Sequence, residues 1–145
     1  MLRSFCVALA AFMALMVGEA HAERHALLIG VSDYDNPNIR DLHGPRNDVT
    51  MMWRLLKTQS FKPENINVVS DIVTEGTDYP KASALPTHAA ILAALDALKQ
   101  KANQGDFIVI YFSGHGTDQP DVPGDAEPEP EANGVDQVLL PRDAG

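Results

Sequence analysis

Apolar and polar positions alternate in blocks along the chain. Residues 24–31, Arg-His-Ala-Leu-Leu-Ile-Gly-Val, read as a first buried strand, with an apolar block from Ala26 broken only by Gly30, and 66–70, Ile-Asn-Val-Val-Ser, form a shorter block. Phe107 to Ser113 is a third, with seven consecutive apolar, aromatic or small residues. Continuous runs of this length, bounded by turn residues, read as strands of a parallel sheet, and the third predicts a strand buried on both faces. Between them the period changes. Val49, Met52, Trp53 and Leu56 fall at i, i+3, i+4 and i+7, and Ile91, Leu95 and Leu98, with Leu92 beside them, repeat that spacing. Each set predicts one apolar stripe on a helix. Gly44-Pro-Arg-Asn-Asp48 precedes the first helix, with Pro suited to its first turn and Asn or Asp to its cap; the helix should end near Ser60, ahead of Lys62-Pro63. Thr87 is an N-cap candidate for the second, which should run to about Ala102, with Gly105 near its C′ position.

The resulting order is strand, helix, strand, helix, strand. It predicts an α/β class domain built on right-handed crossovers and a mainly parallel sheet. Residues 32–41 read as a turn-rich loop, and 71–86 as a polar, irregular stretch. From Thr117 to Pro141 there is no Lys or Arg, while seven acidic residues alternate with four prolines, which predicts a loop; Val138 to Leu140 regains strand character.

Composition narrows the partners. The 145 residues fit one domain, and a formal net charge of −9 argues against nucleic acid held through phosphates. Residues 1–22 show a positive start at Arg3, an apolar run from Phe5 to Val17 and a small-residue ending at Ala20-His-Ala22, the three parts of a secretory signal peptide. Its removal at Glu23 takes away Arg3 and Glu19 and leaves the charge at −9. The expected domain is 23–145, exported to the periplasm or the extracellular space, with no membrane attachment after cleavage. Removal also takes Cys6, the one cysteine, so residues 23–145 offer no disulfide and no thiol nucleophile.

Candidate chemistry sits at the end of the third strand. Ser113-Gly-His115-Gly116 places a histidine between two residues without side chains, at the strand end where open α/β sheets carry their sites. Read alone, it is either a histidine hydrogen-bonded to backbone or a proton-transfer residue whose following amide is free to meet an oxyanion. His25, His43 and His88 lack metal-like spacing and read as surface or satisfied histidines.

Ala26-Leu-Leu-Ile-Gly30, Leu42-His-Gly-Pro-Arg-Asn-Asp48, Thr87-His-Ala-Ala-Ile91, Tyr111-Phe-Ser-Gly-His-Gly116 and Gly134-Val-Asp136 through Pro141-Arg-Asp143 arrive in an order that resembles the caspase-like cysteine peptidases, closest to the metacaspase and orthocaspase branch. The resemblance covers roughly 24–143. It implies a three-layer α/β/α sandwich, here truncated at its C-terminus, and a polypeptide substrate cleaved after Arg or Lys. By that resemblance His115 is the histidine of a Cys–His dyad, and the Gly116 amide is an oxyanion donor. Asp48 and Ser113 match residues of the pocket for the basic side chain. Asp48 reads equally as a carboxylate in a helix's first turn. No cofactor is required, but calcium is implied for many members; Asp125 and Asp136 in the acidic stretch are the candidate ligands, against a reading of that stretch as simply solvated. The family's cysteine has no counterpart in 23–145. Two explanations stand open. Either the nucleophile lies in a C-terminal remainder or separate small subunit, or the chain is an inactive caspase-like module that binds without cutting.

Overall fold

The computed structural model describes residues 22–71, 79–120 and 134–145. The signal-peptide reading of 1–22 and the calcium candidate Asp125 therefore fall, Ala22 apart, outside the described residues. The described residues form five strands and two helices in chain order: β1 (Arg24–Gly30), α1 (Gly44–Thr58), β2 (Ile66–Ser70), α2 (His88–Lys101), β3 (Phe107–Ser113), β4 (Gly116–Pro120) and β5 (Val135–Leu139), with a short 3-10 turn, Pro63–Asn65, ahead of β2.

The first three strands form a parallel sheet in the order β2-β1-β3. Chain order dictates the layering. The first crossover moves one way along the sheet, from β1 to β2, and the second moves back past β1 to β3. Connections of one hand then place the two helices on opposite faces. Side-chain alternation matches this: Ala26 and Leu28 meet Val49, Trp53 and Leu56 of α1 on one face. Leu27 and Ile29 meet Ala94, with Ile91, Leu95 and Leu98 of α2, on the other. The fold is the three-layer α/β/α sandwich.

Both helical stripes fall where the spacing put them, but the caps differ. Thr87 caps α2, its hydroxyl accepting from the Ala90 amide. Neither Asn nor Asp caps α1; its N-cap is His43, with no side-chain bond to the orphan amides, and Asp48 lies beyond the first turn. Gly105, with φ +96°, sits in the turn that Asp106 N closes onto the Asn103 carbonyl, three residues past the α2 C-cap Ala102.

The strand buried on both faces is β1, not β3. From His25 to Gly30 every residue of β1 is buried, whereas Phe107 and Ile110 of β3 are each 57% exposed. Two-sided burial needs a helix over each face, and both helices centre on β1. As an edge strand of the described sheet, β3 is only half covered: Val109 and Tyr111 reach the α1 side and Phe112 the α2 side.

The acidic stretch expected as loop is flanked by structure. β4 and β5 pair antiparallel, with Gly116 opposite Leu139 and Pro120 opposite Val135. Residues 116–120 carry little apolar signal, so their strand character comes from the partner and not from propensity. Residues 140–143 then return to the sheet. Leu140 N donates to the His115 carbonyl, Asp35 N to the Arg142 carbonyl and Arg142 N to the Pro86 carbonyl, while Asp143 accepts from His88 N at 2.7 Å.

Candidate active site

All three parallel strands point their C-terminal ends at one edge. Ser32 follows β1, Asp71 follows β2, and Ser113-Gly-His115 ends β3. The chain direction alone thus gathers residues separated by up to about eighty positions.

His115 is half-buried and held in two ways by one loop. Its backbone amide donates to the Tyr34 hydroxyl at 2.8 Å, and its ring Nε2 lies 2.8 Å from the Arg40 carbonyl. A carbonyl can only accept, so Nε2 carries the proton in the neutral ring and Nδ1 is left as the basic nitrogen. The Tyr34 ring flanks the imidazole, centroids 5.2 Å apart and planes tilted by 44°. Gly114 permits this closeness: a Cβ there would stand 2.9 Å from the Phe112 ring and 3.2 Å from the Tyr34 hydroxyl.

The Gly116 amide follows from the hairpin register. Leu140 N bonds the His115 carbonyl, so the bonded pairs are 115 with 140 and 117 with 138, and Gly116 falls on a non-bonded pair with its N–H turned away from β5. An amide beside the histidine, unspent by the ladder, can meet developing negative charge.

Asp48 and Ser113 meet. The Ser113 hydroxyl donates to Asp48 Oδ2 at 2.7 Å, joining α1 to the end of β3 across 65 positions. Asp48 lies beyond the first turn of α1, so its side chain is not a helix-end carboxylate. A carboxylate so placed, half-buried, is suited to a cationic side chain.

A second set of groups, absent from the sequence reading, braces this edge. Asp71, with its side chain 2% exposed, accepts from the amides of Ser32 and Asp33 at 2.8 and 2.7 Å. Arg46 of α1 donates to Asp33 at 2.6 Å, and its Nε lies 3.7 Å from Asp71 Oδ1. Arg142 reaches Asp35 at 2.9 Å and Asp33 at 3.8 Å. Asp71 had one available signal, its place directly after a strand at the sheet's functional edge. Tyr34 and Arg40 had none, because each acts through a backbone group of its partner or its own.

At the opposite end of the sheet His25 departs from its expected role. It is 1% exposed, and neither ring nitrogen has a hydrogen-bond partner among the described residues. Its Nε2 lies 3.4 Å from the Asp106 carboxylate and 3.8 Å from that of Glu23. Asp106 is held below the usual carboxylate range, first by the Asn103 amide and then by that of Glu23. His43 and His88 are exposed as expected. Asp136 lies in β5 opposite Gln119, and among the described residues no group of three His, Cys, Asp or Glu is arranged to hold a metal.

The family follows from comparison with known sequences. The sequence model described as "Metacaspase, peptidase C14 domain" matches residues 24–145. The chain belongs to the metacaspases. Metacaspase-1B of Aspergillus oryzae is 36% identical over 121 residues, which is 83% of this chain and 26% of that protein. Metacaspase-1 of Lodderomyces elongisporus is 33% identical over 126 residues, 85% of this chain and 26% of its own length. Metacaspase-1 of Candida albicans is 33% identical over 123 residues, 83% of this chain and 25% of its own. The chain therefore spans about a quarter of these metacaspases.

Proposed function

We propose that this metacaspase domain is the histidine-bearing part of a cysteine endopeptidase that cleaves after Arg or Lys. The observation that carries the reading is His115, held with Nε2 against the Arg40 carbonyl so that Nδ1 is free to accept a proton. In this reading Nδ1 takes the proton of a cysteine thiol, and the thiolate attacks the scissile carbonyl. The Gly116 amide receives the oxyanion, and the protonated ring returns its proton to the leaving amine. Asp48, steadied by Ser113, receives the basic side chain. The thiol comes from polypeptide outside 23–145, in a C-terminal remainder or a small subunit, since the sequence's one cysteine is Cys6. Residues 1–22, read as a signal peptide, assign the domain to the periplasm or the extracellular space.

The test uses Arg- and Lys-terminated fluorogenic peptides, with and without calcium. Residues 23–145 alone should give no turnover. Adding the cysteine-bearing remainder should give turnover that His115→Ala abolishes. Turnover by 23–145 alone that His115→Ala removes would overturn the assignment of the nucleophile. Calorimetry with calcium tests Asp125 and Asp136 as ligands, and calcium binding with no turnover under any of these conditions would favour a non-catalytic binding module instead.

A further inference from the structure

The loop between β1 and α1 grips His115 at two points, and it is itself tightly closed. Leu42 N donates to the Ser32 carbonyl at 2.7 Å across the loop's base, and Ile39 N to the Asn36 carbonyl at 3.0 Å. Tyr34 N donates to Asp41 Oδ1 at 2.9 Å. Asp71 fixes the start of the same loop through the amides of Ser32 and Asp33. Tyr34 is thereby held from both sides, is only 8% exposed and presents its hydroxyl to the His115 amide. Arg40, one residue before Asp41, presents its carbonyl to the ring.

We propose that Tyr34 is the positioning residue of His115, with Asp41 as its anchor. By fixing the histidine's backbone, its phenol keeps the imidazole on the Arg40 carbonyl and so keeps Nδ1 as the basic nitrogen. The hydroxyl does this through an amide and does not touch the ring nitrogens. Losing it releases the backbone at His115, lengthens the Nε2 contact and lets the ring populate its other tautomer. The proposal rests on the reading of His115 as a proton acceptor, but its readout is the ring itself and not peptide hydrolysis.

The experiment is 15N spectroscopy of the histidine ring nitrogens on the full 15N-labelled chain, with His115 assigned by the spectrum lost in His115→Gln. The unaltered chain should show Nδ1 as the unprotonated nitrogen and Nε2 as the protonated one. Tyr34→Phe keeps the ring packing and deletes the hydroxyl. It should move the tautomer ratio by about fivefold, the equivalent of one ordinary hydrogen bond of about 1 kcal/mol. Val68→Ala, in the core away from the loop, should leave the ratio unchanged, which separates positioning from general loss of stability. An unchanged ratio in folded Tyr34→Phe overturns the proposal. If Tyr34→Phe does not fold, Asp41→Ala carries the same test, and an unchanged ratio there overturns it equally. A failed peptidase assay leaves this readout untouched.

Discussion

Asp48 and Ser113 offer a quantitative check on the pocket. Their hydrogen bond is 2.7 Å, one partner is charged and both side chains are half-buried. Hydrogen bonds to charged groups contribute about 1.5–3 kcal/mol when well shielded, and partial exposure reduces that to about 1–2 kcal/mol here. Ser113→Ala should lose about that amount. Asp48→Ala should lose it as well, leaving the Ser113 hydroxyl without its acceptor. The double variant should cost less than the sum, because the second change removes a group already unpaired, which gives a coupling of about 1 kcal/mol. Urea denaturation reads this directly. With slopes of about 1–3 kcal/mol per molar for small domains, each single variant should lower the midpoint by roughly 0.3–2 molar. Additivity within about 0.3 kcal/mol would refute the reasoning, since the two side chains would then not be partners in solution. Arg-terminated peptide should also bind Asp48→Ala more weakly than Ser113→Ala, because only the first loses the negative charge.

Other consequences are testable on the same chain. Gly30→Ala would set a Cβ 2.6 Å from Val49 Cγ2, 2.9 Å from Ser70 Oγ and 3.3 Å from the Pro45 carbonyl, so denaturation should show a loss of about 1–3 kcal/mol; a loss under about 0.5 kcal/mol would contradict the packing of α1 on β1. Asp71→Ala strips the acceptor from two adjacent amides and should cost at least about 2 kcal/mol, with faster hydrogen exchange at Ser32 and Asp33; unchanged exchange there would count against the brace. Burial, and then the nearby charges of Asp71 and Asp41, push the Tyr34 phenol above its usual value, against the lowering effect of the His115 amide. A raised folded value means stability present below the unfolded pKa of 10.0 and lost as pH rises through the higher folded one. Tyr34→Phe should therefore lose less stability than the unaltered chain between pH 9 and pH 11 (about one unit either side of the ordinary phenol value), and equal losses would show that Tyr34 does not contribute.

The sheet and its helices were legible because burial leaves a period. Val49, Trp53 and Leu56 face the core at the spacing that α1 imposes, and the Thr87 hydroxyl caps the helix it precedes. The errors fall where burial depends on neighbours. The apolar run of β3 is as continuous as that of β1, yet among the described strands only β1 has a paired strand on either side and a helix over each face. Sequence records that a strand is apolar, not which place it takes in the sheet. β4 was illegible for the converse reason: Gly-Thr-Asp-Gln-Pro has almost no strand preference, and the ladder with β5 supplies the structure. His25 was read from its lack of metal spacing, a test blind to depth, and the central position of β1 is what buries it.

The site divides along a similar line. His115, Gly116, Asp48 and Ser113 were named from a residue type or a motif position, and the structure brings Ser113 onto Asp48. Tyr34 and Arg40 were missed because what they offer His115 is a hydroxyl aimed at a backbone amide and a backbone carbonyl aimed at a ring. Any residue has a carbonyl, so Arg40 left no mark in the sequence. Asp41 and Asp71 looked like ordinary turn and loop residues, although each carboxylate is spent on the amides of residues 32–34. In the proposed mechanism the motif names the group that moves a proton, and the loop before α1, through Tyr34 and Arg40, holds that group. Substitutions in that loop should consequently change the chemistry of His115 while leaving every motif residue in place.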